Sequence, residues 1–182
     1  MITNVYVPLG VEGFELCHPF HEGDFETLNM QIDGTPRWQK WSPLQMRLVN
    51  EDEGKSLSES DSPWLGSHAL IFRQRALQQL GTVLKAHGEL LPIRCPDVEL
   101  SIFNPKIIDG FDEEGSSVLR FSNGRIMRII KHVFRADIVV GVDLFKIPNL
   151  RVSPTFVGDR FVQIWNSSGL LGLDFKKVWS SA

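Results

Sequence analysis

An amphipathic run that stops at a glycine and passes straight into an apolar strand constrains this chain most. Between Gln74 and His87, the residues Leu77, Leu80, Leu84 and His87 recur at helical spacing, and Ala76 and Val83 widen the stripe. Lys85 and His87 suit the negative end of the helix dipole. Gly88 stands where a left-handed residue closes a helix. The next residues, Glu89-Leu90-Leu91-Pro92-Ile93, form a short apolar segment and read as a buried strand. A helix with one apolar face needs a surface to cover it, and a sheet built from the C-terminal half supplies one. The start of the helix fits less well. No Ser, Thr, Asp or Asn closely precedes it, and Arg73 and Arg75 put positive charge at the positive end of the dipole. Those two arginines are expected to have carboxylate partners elsewhere in the chain.

Downstream the pattern is one of strands, at 98–103, 118–121, 125–130, 133–140, 144–147 and 151–157. Asn123-Gly124 between two apolar runs predicts a hairpin. The stretch 125–135 fits a basic helix face as well, but its Ile and Val content and the preceding turn favour strand. Residues 159–167 read as a short helix capped by Asp159 and ended by Gly169. The segment Gly169-Leu170-Leu171-Gly172-Leu173-Asp174-Phe175 then makes a tight turn into a terminal strand. Leu171, Leu173, Phe175 and Trp179 alternate onto one side of it, and Val178, out of step, implies a bulge near Lys177.

Upstream, 1–7 reads as a strand, 8–26 as loop and 27–32 as a strand ending in the turn Asp33-Gly34-Thr35-Pro36. Trp38 and Trp41, with Ser42-Pro43 next, suggest a single turn pinned by two indoles. Residues 51–61, with five acids, one Lys and three Ser, read as a surface loop. The sum is one α+β domain over 1–182. It has a mostly antiparallel sheet, a main helix at 74–87 and a short C-terminal helix at 159–167.

The 182 residues are 42% hydrophobic and 23% charged, ordinary values for a globular chain with a full core. The net charge is -3, from -5 over 1–97 and +2 over 98–182. This lacks the basic excess of a nucleic-acid binder, and no apolar run is long enough to cross a membrane. The start, Met1-Ile2-Thr3-Asn4-Val5-Tyr6-Val7-Pro8, has no basic n-region before an apolar stretch. A cytoplasmic protein is therefore expected, with Cys17 and Cys95 as reduced thiols.

Candidate chemistry is sparse. Cys17-His18-Pro19-Phe20-His21-Glu22-Gly23-Asp24 concentrates metal-ligand types, but a structural zinc site wants two separated pairs and only Cys95 complements it. Cys17 or Cys95 could pair with His68, His87 or His132, yet no flanking pattern supports a nucleophile. The phosphate-loop, dinucleotide, hydrolase and zincin motifs are absent. No metal, cofactor or catalytic residue is expected. Acids concentrate at Glu51, Asp52 and Glu53 and at Asp109, Asp112, Glu113 and Glu114, seven acids with no base among them. These loops are the expected protein-binding surface, with Trp64 as an aromatic anchor. The basic row 125–135 is the next candidate.

Taken in order, several short stretches resemble the immunity-protein family of bacterial polymorphic toxin systems, the domain named for a myxobacterial immunity protein. They begin with Trp41-Ser42-Pro43, the 61–66 loop leading to Ala69-Leu70-Ile71-Phe72, and Arg75-Ala76 opening the helix. Next in order are Gly88-Glu89-Leu90-Leu91-Pro92-Ile93, Phe103-Asn104, Ile108-Asp109 and Val133-Phe134-Arg135. Leu144-Phe145-Lys146-Ile147, Asp159-Arg160-Phe161 and the 169–179 ending complete the set. The resemblance covers about 38–179. The family often has a Ser shortly before the helix, where Ile71-Phe72-Arg73 stands here, and 16–30 matches nothing in it.

The resemblance implies an antidote, monomeric or a weak homo-oligomer, that occludes a delivered toxin of the kind type VI secretion carries. It implies no catalytic residue, nucleic acid or membrane partner. An adaptor within a secretion cluster and a small enzyme that reverses a toxin's modification are the alternatives.

Overall fold

The computed structural model describes residues 3–182. Its elements run β1 (Asn4–Gly10), β2 (Leu16–Pro19), α1 (Asp24–Gln31), a 3-10 turn (Trp38–Lys40), β3 (Met46–Val49), β4 (Glu51–Asp52) and β5 (Lys55–Ser56). Next come β6 (Ile71–Arg73), α2 (Gln74–His87), β7 (Gly88–Ile93), β8 (Leu100–Pro105), β9 (Ser117–Arg120), β10 (Ile126–Lys131) and α3 (Ala136–Val139). β11 (Leu144–Phe145), β12 (Phe156–Gly158), α4 (Asp159–Ser167) and β13 (Leu173–Ser180) complete the α+β fold. One sheet has four strands in the order β11-β12-β1-β13 and another has three in the order β6-β8-β7. β2-β3, β4-β5 and β9-β10 form two-stranded pairs, and every pairing of these strands is antiparallel.

The two larger sheets enclose α2 and α4, and strand alternation sets the layers. Phe72 and Phe103 turn inward onto Leu80, Leu84, Phe161 and Trp165, all buried. Their neighbours Ile71 and Ile102 turn outward onto Leu28, Ile32 and Met46 beneath α1 and β3. In the four-stranded sheet, Leu144 and Val157 face the helices. Phe145 and Phe156 face a third cluster with Val5, Ile126, Phe134 and Val139, roofed by the β9-β10 hairpin and α3. Both sheets are thus covered on each face.

The main helix has the expected bounds, but Gly88 is not its left-handed cap. Its φ of 174° is extended, and it begins β7 directly. A side chain there would overlap the Asn104 carbonyl oxygen and come within 2.8 Å of Pro105 Cα, so close packing of β7 on β8 demands the glycine. The last carbonyls are met by Lys106, whose backbone N–H donates to the His87 carbonyl at 2.8 Å and whose ammonium donates to the Ala86 carbonyl at 3.4 Å. The His87 ring ties the helix end to the 143 turn. Its Nε2 accepts the Asp143 backbone N–H at 3.1 Å, which leaves Nδ1 protonated to donate to the Val83 carbonyl at 2.9 Å. Gly169 does end α4 in the left-handed region, with φ 64°.

Several expectations are corrected. Residues 27–31 belong to α1 and Ile32 follows as its C-cap, so no strand forms there: Leu28 and Ile32 are one helical turn apart, the Ile32 N–H donates to the Leu28 carbonyl at 2.9 Å, and both are buried. The strand expected over 1–7 is β1, running to Gly10, and positions 1 and 2 lie outside the described residues. The supposed loop 8–26 contains the end of β1, all of β2 and the start of α1. Residues 133–140 hold α3 and, before it, the isolated antiparallel bridge of Phe134 to Phe111. Phe134 and Val139 both enter the third cluster, and in a strand their odd spacing would put them on opposite faces. Asp159 makes no cap for α4. It accepts the Asn4 backbone N–H at 3.1 Å and the Tyr6 hydroxyl at 2.9 Å, fastening α4 to β1.

Trp41 donates to the Pro92 carbonyl at 2.7 Å, whereas Trp38 is exposed, so one indole pins that turn. Leu171 is exposed and precedes β13. The bulge exists: Val5 pairs with Trp179 and Tyr6 with Lys177, leaving Val178 as the extra residue.

Candidate functional site

The seven acids and Trp64 fall into different settings. Glu51, Asp52 and Glu53 form an exposed tip, with β4 returning as β5 through Glu53 (φ 47°) and Gly54 (φ 77°). Two consecutive positive φ values are what a primed hairpin turn requires. At the far end of the expected 51–61 loop the chain is not solvated, since Ser60 and Asp61 are buried. Trp64 is half-buried. Its ring lies against the central core and where a side chain on Gly10 would be, 2.6 Å from the ring carbon.

The acids of the 109–114 turn are largely engaged at home. Asp109 pairs with Arg135 at 3.1 Å and Glu113 with Arg120 at 2.8 Å. The Asn149 amide and then Arg120 hold the Glu113 carboxyl below its usual range. Asp112 accepts the Gly115 backbone N–H at 3.0 Å and shapes the turn. Among the described residues, no hydrogen bond or ion pair joins this turn to the Glu51–Glu53 tip.

Reactive groups are subdued. Burial pushes the Cys17 and Cys95 thiols up, which keeps both protonated and weakly nucleophilic. His68 is pushed down to about 4 by burial and then by the Lys146 charge. Among the described residues no group of three or more His, Cys, Asp or Glu is arranged to hold a metal ion. No helix is long and apolar enough to cross a membrane. A cavity of about 690 Å³ runs along the 92–101 connection beside Met46 and Gln74 and includes Cys95 but no histidine.

One surface with the composition of an interface is the β9-β10 hairpin, on the basic row 125–135. Leu119, Met127 and Ile130 stand exposed at 47%, 50% and 59%. They share the hairpin with Arg120, Arg128 and Lys131, also exposed. A two-stranded roof has one face to bury, and Ile126, Val118 and Ile129 already fill it. Ile126-Met127-Arg128-Ile129-Ile130-Lys131 therefore carries more apolar side chains than one buried face can take. That surplus was the sequence signal for an apolar surface here.

No protein-family model matches the chain, and a search of curated proteins finds no match.

Proposed function

We propose that this chain is an immunity-type protein that neutralises a toxin domain by stoichiometric occlusion, without turnover. The observation that carries the reading is the exposed trio Leu119, Met127 and Ile130 amid arginines and lysine. Large apolar side chains and Arg are enriched where protein surfaces meet, and contiguous exposed apolar side chains mark such sites. The ordered likeness to the immunity family over about 38–179 supplies the kind of partner. The contact is assigned to the β9-β10 face ahead of the 109–114 acids, because Asp109 and Glu113 already have cationic partners within the chain. The open Glu51–Glu53 tip is the competing surface.

The test is titration of a candidate toxin domain, sought first in the product of the neighbouring gene. Full protection is expected at one equivalent, with a complex stable to gel filtration. Replacing Met127 and Ile130 with Ser should speed dissociation by about tenfold or more, as loss of central apolar contacts does. Protection at a small fraction of an equivalent would instead identify an enzyme. A complex broken only by Glu51–Glu53 charge reversal would move the contact to the acidic tip.

A further inference from the structure

We infer that the groove between β10 and the β1-β13 pair receives an acidic, apolar segment of the partner protein, a peptide stretch in which Asp or Glu flanks large apolar residues. This rests on the protein-binding reading above and names the chemistry of what is bound.

The groove has a volume of about 350 Å³. Val7 of β1 and Val178 of β13 line it on the side of the four-stranded sheet, and both pack on the third core cluster. Met127 and Ile129 line it from β10, and Leu150 and Pro154 from the connection before β12. The bulge in β13 is what lets both Val178 and Trp179 pack on that cluster, two consecutive residues that a regular strand would divide between its faces. The walls are therefore apolar and built into the fold, a concave shape suited to side chains entering from another molecule.

The charge is one-sided. Arg128 and Lys176 line the groove, and no carboxylate does. Among the described residues neither forms an ion pair, whereas Arg120 and Arg135 nearby are both paired. His132 and Ser67 complete the polar lining. Two free cations beside an apolar trough favour an anionic segment with apolar side chains and repel a basic one.

Other anionic partners fit less well. Single-stranded nucleic acid is held on aromatic stacking platforms, and no Phe, Tyr or Trp lines this groove. A membrane surface is met by protruding apolar side chains, whereas this trough is concave.

The experiment is an amide NMR titration of the whole chain with three synthetic peptides. They are acetyl-Glu-Leu-Asp-Leu-Glu-amide, its lysine counterpart with Lys for each acid, and its serine counterpart with Ser for each Leu. The first should shift the amides of Met127, Arg128, Lys176 and Val178. The lysine and serine counterparts should bind at least about tenfold more weakly. The double variant Arg128→Glu, Lys176→Glu should lose the same factor while keeping its melting temperature. Arg128→Gln with Lys176→Gln gives a second, milder reading if the reversal perturbs the fold.

Equal binding of the lysine peptide, shifts confined to another surface, or full affinity in both variants would overturn the inference. So would tighter binding to phosphatidylserine vesicles or to oligothymidylate than to the acidic peptide. The two readings fail separately. A chain that takes the peptide in this groove but protects against no toxin loses only the immunity assignment. One that protects at one equivalent yet ignores the peptide loses only the groove.

Discussion

Arg73 reaches from the first residue before α2 to Glu15 on the far side of the chain, with Nη2 2.6 Å from Oε1 and Nε 3.0 Å from the same oxygen. The Ser60 carbonyl accepts from Nε, and the Ser60 N–H donates to Glu15, closing a small ring of bonds. Arg75 repeats the arrangement with Asp61 at 2.9 Å, and Asp61 also accepts the Leu171 N–H at 2.7 Å. The positive charge that misfits the helix start thus fastens the 58–64 segment to α2 and to the approach of β13.

Removing Glu15 leaves the largely buried Arg73 with only the Ser60 carbonyl and the exposed Glu59 carboxylate at 3.9 Å. Glu15→Ala, with its carboxylate 5% exposed, should cost about 3–5 kcal/mol. Restoring neutrality with Glu15→Ala, Arg73→Met should recover much of that. Chemical denaturation of the two variants checks it, and a double variant no better than the single one would contradict the pairing.

Gly88 separates two accounts of the helix end. A left-handed cap would tolerate Asn better than Ala, but an extended glycine pressed on Asn104 and Pro105 tolerates neither. Gly88→Ala and Gly88→Asn should both destabilise by about 1–3 kcal/mol, the usual penalty for overpacking. Thermal unfolding distinguishes the cases: an Asn variant close to the parent would argue for the cap.

Lys146 gives a pH signature. Burial pushes its ammonium down to about 7, while Asp33 opposes that shift. Between pH 7 and the ordinary Lys value the unfolded chain holds a proton that the folded chain has released, so stability should rise with pH. The raised thiols of Cys17 and Cys95 act in the opposite sense only near and above pH 9, where the unfolded thiols ionise first. Relative to Lys146→Met, the parent should gain on the order of 2 kcal/mol between pH 7 and 9. Parallel urea melts across that range would reveal it, and two parallel stability profiles would rule it out.

The centre is sensitive in the ordinary way. Leu80 is fully buried between the sheets, and Leu80→Ala should cost about 2–5 kcal/mol. Deleting 170–182 should do worse and leave no cooperative transition, because β13 pairs along all of β1 from Asn4 to Gly10. A soluble truncation with a sharp melt would show that β13 is dispensable.

Much of the fold was legible. The α2 stripe, the Asn123-Gly124 hairpin, the β13 bulge and the need for carboxylates opposite Arg73 and Arg75 all rest on local pattern or local charge. What was hidden depends on contacts distant in sequence. Leu28 and Ile32 satisfy both periods in a short window, so only the cluster they enter reveals a helix. Gly88 looked like a cap because the strand that crowds it, β8, begins twelve residues later. At the surface, residue type showed where acids were but not that Arg120 and Arg135 neutralise two of them. The apolar surplus in 126–131 was visible, and its outward direction became clear only once the hairpin's inner face was seen to be full.

β1 lies between β12 and β13, and its bonds to Asp159 already span 155 residues of sequence. At the ~5–20 residues per second of protein synthesis, a strand made early waits on the order of ten seconds or more for either neighbour. Over that interval its backbone edges stay open, while β6, α2, β7 and β8 can assemble from contiguous chain. Folding should therefore proceed from the three-stranded half outward. The four-stranded half would close last and slowly, as topologies dominated by long-range pairing do. Nascent chains stalled before β12 would be the ones that a holding chaperone meets.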